Sequence, residues 1–233
     1  ALYVLSGFIA WTVINTLKAN LLVAVVVSLL VTGIIGAIIY RLFLIRVRGM
    51  EISEIIASYA IALAILEGLR WGGFRGMTYT LPVFIEGSMT IGGISVDYQR
   101  ILVVVIGAAM VAALWLFTRY TRVGLALKGM AQDERAALML GIDSDLMAVV
   151  AMGMGSMLAA FAAILLLPLG NIVVESGYNV LILAIAVCIV GGLGSWMGAV
   201  LAAFLIGFAQ ILTVVYLGAH YQMMVALLAI ILT

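Results

Sequence analysis

The chain has 233 residues, of which 67% are hydrophobic and 9% are Asp, Glu, Lys or Arg, for a net charge of +1. Soluble domains carry about 25% charged residues, so this composition excludes a water-soluble globule, and a mean hydropathy of +1.36 excludes a disordered chain. The near-neutral charge leaves no basic footprint for nucleic acid. The lone Cys188 precludes an intrachain disulfide framework, and with the single His220 it falls short of the four ligands of a structural zinc site. No cofactor or metal is expected, and the chain belongs in a lipid bilayer.

Apolar runs separated by charged residues predict an all-α, polytopic integral membrane helical bundle with about seven to eight transmembrane helices. The runs are continuously apolar, whereas a barrel would show alternating segments of roughly ten residues. The predicted spans are Ala1–Leu17, Leu21–Tyr40, Ile55–Leu69, Ile101–Phe117, Leu146–Leu167, Val180–Val190 and Ala199–Leu217, with an eighth starting at Met223. The first run opens without a preceding polar flank. The last, from Met223 to Thr233, is shorter than the roughly 20 residues a span needs. The sequence is therefore expected to be a fragment of a longer protein, truncated at both ends.

Seven of the 11 basic residues fall on one side of this arrangement: Arg41, Arg46, Arg48, Arg119, Arg122, Lys128 and Arg135. Lys18, Arg70, Arg75 and Arg100 fall on the other. The excess assigns the first side to the cytoplasm.

Two connections are too long for simple turns. On the outer side, within residues 70–100, Met89-Thr-Ile-Gly92-Gly93-Ile-Ser-Val96 alternates about a Gly-Gly pair. It predicts a small β-hairpin, because glycine accepts the positive φ of two-residue hairpin turns; the alternative is an irregular glycine loop. On the inner side, within 119–145, Gly129 to Gly141 is a helix-length run bounded by glycines. Asp133 and Glu134 suit its first turn, Gly141 its end, and Asp143, Ser144 or Asp145 can cap the next span. Its first part is polar and its second apolar. The segment is either a connector on the membrane surface or a helix that plugs into a cytoplasmic partner.

The stretch Gly124-Leu-Ala-Leu-Lys128-Gly-Met-Ala131-Gln-Asp133-Glu-Arg-Ala136-Ala137-Leu-Met-Leu-Gly141-Ile142 resembles the cytoplasmic loop of ABC importer permeases for branched-chain amino acids. Val190-Gly191-Gly192-Leu-Gly194-Ser195-Trp-Met-Gly198-Ala199 resembles that family's Gly-Gly-x-Gly-Ser signature, and residues 92–99 fit it as well. The order and spacing of these motifs extend over essentially the whole sequence. It departs from the family pattern at Leu125, Met197 and Gln210, where the family usually has Arg, often Pro and often an acidic residue.

The resemblance implies that residues 1–233 form a single permease domain in the bacterial inner membrane. It also implies a second permease subunit, two cytoplasmic ATPase subunits and an outer substrate-binding protein as partners. The chain would then be a transport subunit and no enzyme, its substrate a branched-chain or related amino acid. Gly129, Ala131, Asp133, Glu134, Arg135, Ala136, Ala137 and Gly141 would form the coupling helix that contacts an ATPase. No Gly-Lys-Ser or Gly-Lys-Thr phosphate loop occurs, so the chain is not itself that ATPase.

Polar and small residues in the spans supply the remaining candidates. Glu67, followed by Arg70 and Trp71, reads as an interfacial ion pair with an aromatic anchor, or as part of a pathway. Asn171, Glu175 and Asn179 are loop residues or face the delivered substrate. Asn15 and Gln210 can hydrogen-bond between helices or line a passage. Gly191, Gly192, Gly194, Ser195 and Gly198, with the ridge Ala199, Ala203 and Gly207, place small residues where helix backbones can approach closely.

Two other classes compete. An intramembrane serine protease would need Ser195 within hydrogen-bond reach of His220, yet roughly 25 to 30 Å of helix separates them. A secondary transporter or channel would need no ATPase, but no Asp lies mid-membrane to couple an ion.

Overall fold

The computed structural model describes residues 1–18, 20–74, 79–85, 87–91, 94–192 and 194–232. Without water in the hydrocarbon core, backbone polar groups must be satisfied within the segment, and helices do this. Among the described residues the order is α1 (Leu2–Leu17), α2 (Leu21–Leu42), α3 (Glu51–Gly68), β1 (Ser88–Ile91), β2 (Ile94–Asp97), α4 (Tyr98–Tyr120), α5 (Arg122–Gln132), α6 (Glu134–Met139), α7 (Ser144–Leu166), α8 (Ser176–Gly191), α9 (Trp196–Leu217) and α10 (Gln222–Leu232).

Among the described residues, five helical stretches are long and apolar enough to cross a membrane: Leu21–Arg46, Ile52–Gly73, Tyr98–Tyr120, Ser144–Leu169 and Met197–Leu217. Leu2–Leu17, Ser176–Gly191 and Ala219–Ile231 are shorter apolar helices. The eight predicted spans correspond to these in order. Their ends move: α3 starts before the predicted Ile55, and α8 starts four residues before the predicted Val180.

The predicted hairpin forms. β1 and β2 are antiparallel, with Ser88 opposite Asp97, Met89 opposite Val96, Thr90 opposite Ser95 and Ile91 opposite Ile94. Its turn glycines, Gly92 and Gly93, lie outside the described residues, as does Arg75 of the outer basic set.

The chain divides into two compact units, residues 1–174 and 175–233. In the first, α2 packs along α7, and α1 packs against both. The contact is built from small side chains: Ser6, Ala10, Ala24, Ser28, Thr32, Ser156, Ala160 and Ala163 are all buried. Lipid is as apolar as leucine, so close backbone approach and the dispersion contacts it permits hold membrane helices together. A Cβ at Gly36 of α2 would overlap the Ser156 side chain, and one at Gly33 would meet Met157. Ser28 donates to the Ser6 carbonyl at 2.7 Å, joining α2 to α1.

The outer connections are tied to this core by backbone and amide bonds. Tyr79 and Ile172 form an isolated antiparallel bridge. Gln99, 2% exposed at the start of α4, accepts from the Phe84 amide at 3.1 Å and donates to the Leu165 carbonyl at 3.2 Å. The Tyr79 ring also packs against Trp11, tilted by 39° with ring centroids 4.0 Å apart. In the second unit, Ala186, Ile206 and Ala226 from α8, α9 and α10 form a buried cluster flanked by Ile182, Leu183, Val187 and Ile230.

Gly36→Leu is expected to destabilise the first unit by about 3 kcal/mol, as forced overpacking does, and to lower its thermal midpoint in detergent. Gly107→Leu, at a position with nothing within 4 Å, is the control, and equal effects from the two would contradict the close α2–α7 contact.

Candidate functional site

The inner segment starts where α4 ends. Arg119 lies over the Trp115 ring at 5.1 Å and near Tyr120 at 5.8 Å, cation–π positions that hold the end of the helix. Thr121 is extended and its hydroxyl accepts from the Gly124 amide at 3.0 Å, so α5 begins with a side-chain cap.

The single helix expected from Gly129 to Gly141 is instead two helices. α5 runs through Gly129 and Ala131 to Gln132, and the backbone then becomes extended at Asp133, with φ −152° and ψ 104°. The Asp133 carboxylate accepts from the amides of Arg135 at 2.9 Å and Ala136 at 3.1 Å, which makes it the N-cap of a new helix, α6. A short acidic side chain competes with the helical backbone in this way, and the competition breaks the run. Glu134, Arg135, Ala136 and Ala137 follow as the first residues of α6.

The end of α6 is also local chemistry. Gly141, at φ +79°, donates to the Leu138 carbonyl at 3.0 Å, while Ile142 donates to Ala137 at 3.2 Å. This pair of bonds is the Schellman arrangement, in which glycine takes the left-handed position. Of the three capping candidates for the next span, Asp143 does the work: its carboxylate accepts from Asp145 and Leu146, at 3.0 and 3.1 Å, ahead of α7.

Residues 131–136 are exposed, and Ala137 is the residue through which α6 is buried, at 4% exposure. Beyond it Met139 is 89% and Leu140 81% exposed, with Leu138 at 49%. These apolar side chains lie between α5 and α7, on the side where the predicted inner loops meet. Arg48 marks that meeting: from the turn after α2 it forms ion pairs with both Glu134 of α6 and Asp145 of α7. Sequence reading gave Arg48 no role beyond topology. No local pattern signals a pairing between residues so far apart in the chain.

The glycine-rich signature sits between α8 and α9. A Cβ at Gly191 would stand 2.6 Å from the Ala199 Cα, and one at Gly198 would overlap the Gly191 carbonyl oxygen. Gly192 and Gly194 hold the turn at φ +80° and +86°; Leu193 lies outside the described residues. Ser195 caps α9, its hydroxyl accepting from the Gly198 amide at 3.1 Å. That hydroxyl and His220 lie beyond opposite ends of the 22-residue α9, roughly 33 Å of helix, which removes the protease geometry.

Further along α9 the expected packing ridge is displaced. Ala202, Ile206 and Gln210 are buried, whereas Ala203 is exposed and a Cβ at Gly207 would meet nothing within 4 Å. Larger Ile206 packs with Ala186 and Ala226, so α10 and α8 select this neighbouring face. Asn15 bonds the Trp11 carbonyl of its own helix at 3.1 Å and does not bridge helices. Glu67 pairs with Arg70 at 3.1 Å, both about half exposed, and Trp71 is 88% exposed.

Helices long enough to span, capped inner segments and same-side loop pairings define a polytopic helical membrane protein. The model of the family described as the permease component of branched-chain amino acid transport systems matches residues 1–233, and the chain belongs to that family. It is a multi-pass inner-membrane protein. It is similar to the high-affinity branched-chain amino acid transport system permease protein BraD of Pseudomonas aeruginosa, 32% identical over 61% of this chain and 47% of that protein. It is also similar to the corresponding LivH proteins of Escherichia coli K12 and Salmonella typhimurium, each 28% identical over 65% of this chain and 51% of the relative. The chain thus spans about half the length of the curated relatives it matches. No solved structure matches it.

Asp133→Ala is expected to weaken α6 by about 1 kcal/mol, the usual loss for an N-cap, read as faster amide exchange at Arg135 and Ala136 with α7 unaffected. Gly198→Leu should force α8 and α9 apart and lower the thermal midpoint in detergent, and an unchanged midpoint would refute the backbone contact.

Proposed function

We propose that the chain is part of a permease subunit of an ATP-driven importer, carrying branched-chain or related amino acids delivered by an outer binding protein. The basic side faces the cytoplasm, and a second permease subunit pairs with this one in the membrane. Two cytoplasmic ATPase subunits bind at α6 and its flanks. The observation that carries the contact is the exposed apolar tip of Leu138 and Met139, at the end of a capped six-residue helix outside the spans, and Leu140, its C-cap residue. An apolar tip held by a rigid short helix suits insertion into a protein groove, and it can pass a rigid-body movement of the ATPases to α5 and α7. Family membership supports the transport reading, and the names of BraD and LivH support the substrate class.

The test is uptake by the complete transporter in reconstituted vesicles, with and without ATP, against a panel of amino acids and urea. ATP-dependent accumulation of leucine, isoleucine or valine is expected. Met139→Asp should reduce co-purification of the ATPase subunits at least tenfold, and scrambling Asp133 to Arg135 should do the same. Uptake driven by an ion gradient with no ATPase present would replace this reading with a secondary transporter.

A further inference from the structure

The turn between α2 and α3 reaches across to the inner segment through one side chain. Arg48 follows a short helical turn, Leu44–Arg46, that closes α2, and Leu44 anchors the turn at 5% exposure. The Arg48 side chain is 22% exposed, well below the 50% of Glu134 and the 60% of Asp145 with which it pairs. One guanidinium nitrogen meets Glu134 and the other meets Asp145. The fork geometry of arginine allows two carboxylates to be held in fixed relative positions, which a lysine ammonium does not enforce.

Those two carboxylates belong to different elements. Glu134 opens α6, and Asp145 lies in the first turn of α7, beyond the glycine turn at Gly141. α6 itself is held to the protein mainly through Ala137, since its other side chains are exposed. A force applied at its tip is therefore resisted by little packing, and the Arg48 link becomes a principal path into the core. That path ends at α2, which packs along α7 in the first unit. Tyr40, near the end of α2, is buried.

We propose that Arg48 is a positioning residue for energy coupling: its guanidinium bridges Glu134 and Asp145 and so converts displacement of α6 into joint movement of the α2–α3 turn and α7. This inference rests on α6 being the ATPase contact.

The experiment uses the complete transporter in vesicles and reads the ratio of substrate taken up to ATP hydrolysed, alongside ATPase co-purification. Arg48→Gln is expected to lower that ratio at least fivefold, and Arg48→Lys to recover only part of it. Combining Arg48→Gln with Glu134→Gln and Asp145→Asn should cause no loss beyond Arg48→Gln alone, the non-additivity of groups acting as one unit. An unchanged ratio in Arg48→Gln overturns the proposal, as does full additivity in the triple variant. If Arg48→Gln fails to accumulate, Glu134→Gln removes one arm at an exposed site, and a ratio within error of wild type there also overturns it. A transporter whose ATPases stay bound after Asp133 to Arg135 is scrambled marks failure of the α6 contact itself, a result separate from loss of the ATPases on scrambling with an unchanged ratio in Arg48→Gln.

Discussion

The close approach of α2 and α7 is the contact on which the first unit depends. Gly33 and Gly36 lack the Cβ atoms that would meet Met157 and Ser156, and alanine and serine fill the rest of the seam. In lipid no hydrophobic force presses helices together, so dispersion between closely approaching backbones and a few interhelical bonds must suffice. Ser28 supplies one such bond to α1, and Gln99 fastens the outer connection to the end of α7. α4, by contrast, buries little besides Gln99 among its described residues.

This seam also gives the inner surface a rigid base. α2 ends and α7 begins on the same side, where Arg48 and Asp145 meet, and α6 lies between α5 and α7. The outer side has its own ties, the Tyr79–Ile172 bridge and the Gln99 bonds. Cross-links therefore join loops predicted for the same side of the bilayer, which supports the alternating arrangement drawn from the charges.

The inner segment shows how far local chemistry reaches. A terminating glycine and a cap before the next span are visible in residues 129–145 and both form, whereas the acidic pair expected in the first turn of one helix instead starts a second. What the composition concealed was the break at Asp133. A helix-length run between two glycines looks continuous, yet one carboxylate accepting from the amides of Arg135 and Ala136 is enough to begin a new helix. The chemistry for the break was in the sequence, but helical propensity and capping compete there too evenly for the pattern alone to decide.

Scarcity of charge put the chain in a bilayer, and the sequence by itself determined the spans, the hairpin and the caps, because each follows from hydropathy or from groups a few residues apart. Tertiary structure alone decided which faces meet. These helices are apolar all round, so no amphipathic stripe marks an inward side. Only packing against α8 and α10 buried Ile206 and left Ala203 of the expected ridge exposed, while Ala199 of that ridge meets Gly191 of α8. It also brought Arg48 to Glu134 and Asp145, a pairing that depends on how α2 and α7 lie side by side. A 9% charge content located the ends of the helices, and the fold then joined some of those charges into a link between them.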